Sequence, residues 1–157
     1  DVCLVGSEMC IRDRIGSGQC ESNIYQLAEE VGEEIAKRGA ILVCGGLAGV
    51  MEAAAKGASS AGGLTVGILP GPSTNRANSF IKIPVATDMG QARNVIIAHT
   101  ADALVAVAGG AGTLSEIGHA LKIGKPVVGL QTIPDLRGVH YVDNAQEAIV
   151  RLFDLIT

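Results

Sequence analysis

Apolar and polar positions along this chain follow two periods. Short continuous apolar runs, the mark of strands buried on both faces, alternate with stretches whose apolar residues recur every three or four positions, the mark of helices. Ile24, Leu27, Ala28, Val31 and Ile35 form one helical face that stops at Arg38-Gly39, with a cation in the last turn and a glycine past the end. Ala40–Cys44 reads as a short buried strand, Val50–Ser59 as a small-residue helix and Leu64–Leu69 as the next strand, closed by Pro70-Gly71-Pro72. Residues 71–80 (GPSTNRANSF) are the least structured stretch. Ile81–Ala86 is a further strand, Met89–His99 a helix, Asp102–Ala108 a strand and Thr113–Ile123 a helix ending at Gly124. Pro126–Leu130 is a strand, Val139–Val142 a short pairing segment, and Asp143-Asn144 opens a last helix, Ala145–Ile156. Ahead of all these, Ile15 ends a strand that runs into Gly16-Ser17-Gly18.

This alternation predicts a three-layer Rossmann-like α/β fold, a parallel sheet with right-handed crossovers and helices on both faces. Residues 8–14 (EMCIRDR) put Arg12, Asp13 and Arg14 where a buried first strand should run. Residues 1–14 therefore read as sequence foreign to the domain, and a single domain is expected over 15–157. The composition agrees with a sheet buried on both faces: 48% of the 157 residues are hydrophobic, only 18% are charged, and 21 are glycine. A net charge of -4 argues against a nucleic-acid or membrane-surface partner, yet leaves room for a small anion bound by local dipoles. The cysteines, Cys3, Cys10, Cys20 and Cys44, form no C-x-x-C pair, so neither a metal site nor a redox motif is indicated. With no credible membrane span or secretory signal, a cytoplasmic location is expected.

Three glycine turns follow predicted strands and precede predicted helices, where free backbone N–H groups make anion sites. Gly16-Ser17-Gly18 lacks the full G-x-G-x-x-G pattern, because Glu21 stands at its last position. Gly45-Gly46-Leu47-Ala48-Gly49 is either an anion cradle or a plain tight turn. Gly109-Gly110-Ala111-Gly112-Thr113 is the strongest, since Thr113 and Glu116 join it. Thr-x-x-Glu is a capping box, which would return the Glu116 side chain to the Thr113 backbone. The competing reading places that carboxylate at a ligand, as an acceptor for sugar hydroxyls or as a general acid/base.

Arg93 lies near the edge of the buried face of its helix and could share a ligand with Glu116, guanidinium to phosphate and carboxylate to sugar. The histidines, His99, His119 and His140, have no metal-ligand spacing, although His119 stands one helical turn after Glu116. No metal-binding residues are assigned.

Four motifs then occur in order: Gly45-Gly46-x-x-Gly49-Val50-Met51-Glu52, Gly90-Gln91-Ala92-Arg93-Asn94, Gly109 to Glu116, and Gly124-Lys125-Pro126-Val127-Val128. Together they resemble the Rossmann-like superfamily of molybdenum-cofactor carrier proteins and LONELY GUY phosphoribohydrolases, many once labelled possible lysine decarboxylases. The resemblance spans residues 15–156 and is nearest the small carrier-like branch. It implies a binding protein for a phosphorylated ligand, a nucleotide or molybdopterin-type cofactor, held at the carboxyl edge of the sheet. The alternative it implies is a hydrolase of the N-glycosidic bond of nucleoside 5′-monophosphates. Arg93 and Glu116 match the functional Arg and Glu of the phosphoribohydrolases. Gly16, Ser17, Gly18, Gly45, Gly46, Gly49, Gly109, Gly110, Gly112 and Thr113 are the expected ligand-binding residues. Ala108 stands where those enzymes have Pro and Asn94 where they have Lys, which favours holding over cleavage. A homodimer or homotetramer is expected.

Overall fold

The computed structural model describes residues 2–6 and 18–156. Seven strands form one sheet in the order β4-β3-β2-β1-β5-β6-β7. They are β1 (Val2–Gly6), β2 (Ile41–Cys44), β3 (Thr65–Leu69), β4 (Ile83–Ala86), β5 (Ala103–Val107), β6 (Val127–Leu130) and β7 (Val139–Val142). All neighbours pair in parallel, with β1 central: Leu4 faces Val43 of β2 and Leu104 of β5. The first strand thus lies within the segment 1–14 that the sequence sets apart. The strand expected to end at Ile15 lies outside the described residues.

The helices are α1 (Gly18–Lys37), α2 (Val50–Ser60), α3 (Arg93–Thr100), α4 (Ala111–Lys122) and α5 (Ala145–Ile156). The α/β three-layer architecture follows from the strands themselves. Residues of β5 alternate, Ala103, Val105 and Val107 to the core under α1, α2 and α5, Leu104 and Ala106 to the core under α3 and α4. A strand so divided must be apolar at every position, as all five residues are. The first layer is tightened by small residues. A methyl group on Gly32 of α1 would collide with the Ala54 carbonyl of α2, and one on Gly57 of α2 with the Glu29 carbonyl of α1. The α1 terminus matches the sequence: Gly39 has φ 72°, and the N–H groups of Gly39 and Ala40 close back on Ala36 and Ile35. At α5, Asn144 caps the Glu147 N–H at 2.9 Å.

Residues 71–80 form no helix or strand, as the sequence suggests, yet their backbone is bonded to the rest of the fold. Asn78 ties them down: its backbone N–H bonds the Gly46 carbonyl, and its side chain bonds the Gly46 and Leu47 carbonyls at 3.2 and 2.9 Å. Thr65 Oγ1 donates to the Phe80 carbonyl at 2.6 Å and accepts from the Lys82 N–H. A polar stretch whose side chains satisfy backbone groups is ordered without a hydrophobic core of its own.

The sheet order places a switch between β1 and β5, where the chain stops extending one side and starts on the other. In open parallel sheets the crevice at the carboxyl ends of such strands takes the ligand. The β5–α4 turn opens there, and the β2–α2 turn lies beyond β1.

Candidate functional site

The β5–α4 turn runs from a buried strand into an exposed backbone. Gly109 and Gly110 are exposed, whereas Thr113 and Glu116 are 1% and 2% exposed. Ala108 has φ 54° and Gly109 φ 121°, so the chain reverses sharply as it leaves the sheet. The Gly109 conformation is closed to side chains, and a methyl group there would also collide with Thr113 Oγ1.

The helix starts two residues before Thr113. Gly110 is its N-cap with φ -129°, no side chain caps it, and the Leu114 N–H bonds the Gly110 carbonyl. Thr113 is therefore inside the first turn and Glu116 in the second, which corrects the capping-box reading of Thr-x-x-Glu. The physical reason is that extended Gly110 takes the cap position and Ala111 and Gly112 fit a first turn. The N–H groups of Ala111, Gly112 and Thr113 have no acceptor within the helix by its geometry. Thr113 Oγ1 is buried and makes no hydrogen bond among the described residues.

Arg93 opens α3. Gly90, with φ 54°, and a short 3-10 turn at Gly90–Ala92 delay the helix expected from Met89. Met89 is 48% exposed and adds nothing to the buried face. Arg93 is not at the edge of that face, as the sequence suggests, but is 0% exposed. Its Nη1 donates to Asn94 Oδ1 at 2.8 Å. Its Nη2 lies against Gly45, where an added methyl group would sit 2.8 Å away. Gly45 has no side chain because a guanidinium and Met51 Sδ fill that space.

Cys44, the residue before Gly45, connects the two charged groups. It is buried, with Sγ 3.9 Å from the Met51 carbonyl. Burial pushes its thiol up to about 11, the Gly46 backbone hydrogen bond and the Arg93 charge pull it down, and the Glu116 charge adds to the rise. The structure brings Gly45 and Arg93 together, and it sets Gly109, Gly110, Gly112 and Thr113 at the start of α4, the helix that carries Glu116.

The other expected residues are engaged elsewhere or lie outside this cluster. Gly46, with φ 73°, lets β2 pass the Gly67 backbone of β3, 3.1 Å from a would-be methyl group. Gly49 is the α2 N-cap with φ 75°. Gly18 is the first residue of α1. Gly16 and Ser17 lie outside the described residues. His119 is half-buried one turn past Glu116. Among the described residues, no group of three or more His, Cys, Asp or Glu is placed to hold a metal ion. No described helix is long and apolar enough to cross a membrane.

Residues that hold the site and the neighbouring β2–α2 turn without a signal of their own are Asn94 beside Arg93, Cys44 before Gly45, and Asn78 on the Gly46 and Leu47 carbonyls. Asn94 is legible only as the neighbour of Arg93, and Asn78 only as a turn-forming residue in a polar loop.

A parallel sheet with helices on both faces and a glycine turn at its switch point defines a Rossmann-like α/β protein. The chain belongs to the SLOG cluster4 family, whose model matches residues 14–152. An uncharacterized protein of Archaeoglobus fulgidus is 51% identical over 135 residues, 86% of this chain and 89% of that protein. The molybdenum cofactor carrier protein of Chlamydomonas reinhardtii superposes with a TM-score of 0.81 at 36% identity, over 99% of each chain. The cytokinin riboside 5′-monophosphate phosphoribohydrolase of Mycobacterium tuberculosis is 36% identical over 116 residues, 68% of this chain but 62% of that enzyme. The resemblance to the carrier and LONELY GUY superfamily therefore holds.

Proposed function

We propose that this protein binds the phosphate of a small phosphorylated ligand at the β5–α4 turn and holds the ligand without cleaving it. The observation that carries this reading is the buried Thr113 hydroxyl, which makes no hydrogen bond among the described residues and stands two residues past the exposed Gly109–Ala111 backbone. A buried hydroxyl without a partner costs stability, and a phosphate oxygen would satisfy it. Ala111, Gly112 and Thr113 supply the amides, the α4 dipole adds to their attraction, and Arg93 on α3, which packs against α4, supplies a buried charge.

The ligand is a nucleotide or a molybdopterin-type cofactor. The latter fits by its phosphate end. When bound, that cofactor carries its metal on its own dithiolene sulfurs. The one described cysteine near the site, Cys44, is held protonated at neutral pH by burial and offers no thiolate.

The relative from M. tuberculosis supports a second reading, hydrolysis of the N-glycosidic bond, with Arg93 at the 5′-phosphate and Glu116 at the ribose. Against it stand Ala108 and Asn94, at the positions where the phosphoribohydrolases that the chain resembles carry Pro and Lys. Calorimetry with nucleoside 5′-monophosphates and phosphorylated pterins, with free base followed in parallel, tests the choice. Binding without base release is expected. Base release that Glu116→Gln abolishes would establish the hydrolase instead, and no binding across the panel would overturn both. We also infer a homodimer or homotetramer, with Val95 and Leu114, 36% and 44% exposed on the adjacent helices α3 and α4, as covered surface. Sedimentation of a strict monomer at micromolar concentration would refute it.

A further inference from the structure

The β5–α4 turn is anchored by a residue from a different loop. Ala108 is a non-glycine residue at φ 54°, a conformation that costs roughly 1–2 kcal/mol. It is 6% exposed, so its backbone groups need partners within the protein. Its N–H donates to the Leu130 carbonyl at the end of β6, 3.1 Å away. Its carbonyl accepts from Thr132 Oγ1 at 2.5 Å, just past β6. Thr132 follows Gln131, itself at φ 46°, so two left-handed residues bring the loop after β6 against the turn after β5. The loop is held from its far end by Tyr141, whose hydroxyl donates to the Ile133 carbonyl and accepts the Leu136 N–H.

This arrangement also explains what Ala108 means in place of proline. Proline is locked near φ of about -65° and cannot adopt the Ala108 conformation. A proline at this position would turn the carbonyl away from Thr132 and lead the chain into Gly109 along another path. The next residues, Gly109 to Thr113, carry the amides and the buried hydroxyl.

We propose that Thr132 is a positioning residue: by fixing the left-handed Ala108, it aims the amides of the β5–α4 turn at the bound phosphate. The proposal rests on the reading of that turn as the phosphate site, and the test separates the two. Thr132→Val keeps the shape and removes the hydroxyl, and Thr132→Ser keeps the hydroxyl. In the full chain without ligand, exchange of the Ala108 amide, which is bonded to the Leu130 carbonyl, is compared among the three proteins by NMR. Inorganic phosphate is then titrated and the Gly110–Thr113 amide resonances followed.

Thr132→Val is expected to speed exchange of the Ala108 amide and raise the phosphate Kd, each about 3- to 10-fold, the range set by one lost buried hydrogen bond. Amides of β3 should exchange as before, and Thr132→Ser should match wild type in both readouts. Unchanged exchange in Thr132→Val, or a Thr132→Ser variant as impaired as it, overturns the role. So does faster exchange with unchanged phosphate affinity. A wild-type protein that does not bind phosphate overturns the site reading, and the exchange comparison still decides whether Thr132 orders the turn.

Discussion

Two glycine turns of nearly the same composition lead from a strand into a helix, and they end in opposite states. In the β2–α2 turn, Gly45 and Gly46 are buried, Asn78 takes the carbonyls of Gly46 and Leu47, and Gly46 lies on the backbone of Gly67. The protein itself occupies that turn. In the β5–α4 turn, Gly109 and Gly110 are exposed, and the hydroxyl of Thr113 finds no partner among the described residues. Glycine content is the same kind of signal in both. What separates them is whether neighbouring polar groups are satisfied from within, and that depends on a residue 32 positions away, Asn78 against Gly46.

The comparison breaks most completely at Gly109. Gly109→Ala faces both φ 121° and the Thr113 side chain, so it is expected to lower stability by about 3 kcal/mol and abolish phosphate binding by the folded fraction. Gly46→Ala meets φ 73° and Gly67 Cα at 3.1 Å, and should lower stability by about 2 kcal/mol while the folded fraction still binds. Urea unfolding and phosphate titration of both variants decide it. Equal effects on binding would erase the distinction between the turns.

Cys44 sharpens the contrast from the buried side. Its thiol lies within the core of the site and is raised from 9.0 to about 11, chiefly by burial. Folding therefore favours the neutral thiol. That contribution is whole below pH 9.0 and is lost as pH climbs through about 11. Wild type should lose roughly 2–3 kcal/mol more than Cys44→Ala between those limits, which removes the shared effect of lysines and tyrosines. Parallel stability curves would mean the thiol is not desolvated.

How much of this was legible in the sequence depends on the distance over which each feature is decided. The strands and helices were legible because apolar periodicity is local, and β5 with Leu104 and Val105 on opposite faces shows why a fully apolar run means a sheet covered twice. Arg93 and Glu116 were legible as candidates through ordered motifs. The burial of Arg93 was not, because it depends on Gly45 leaving space from another strand. The capping box failed because Thr-x-x-Glu is a local pattern, and Gly110 ahead of it made a better cap than the pattern could register. Asn78 and Thr132 were silent for the same reason: each acts on a carbonyl far along the chain.

A loop residue should therefore matter to stability where a turn is filled from within. Asn78→Ala removes two side-chain hydrogen bonds to carbonyls of the β2–α2 turn, at 3.2 and 2.9 Å, and an acceptor for the Phe80 N–H. Stability is expected to fall by about 2 kcal/mol, with phosphate affinity of the folded protein unchanged. Thermal unfolding with and without phosphate checks this. A loss of affinity larger than the loss of stability would show that the two turns are coupled.

Thr113 should show the reverse sign. In the filled turn each polar side chain stabilises the fold. In the open one, the Thr113 hydroxyl is buried and makes no hydrogen bond among the described residues. Thr113→Val keeps the shape and removes the oxygen. Stability without ligand is expected to rise by up to about 1 kcal/mol, because an unsatisfied hydroxyl no longer has to be desolvated. Phosphate binding is expected to weaken about 10-fold, by the loss of one hydrogen bond to a charged oxygen. The pair of measurements is the point, since a purely structural threonine would lower stability when replaced and leave affinity alone. Stabilisation together with weaker binding identifies a polar group kept at a cost to the fold for the sake of a ligand.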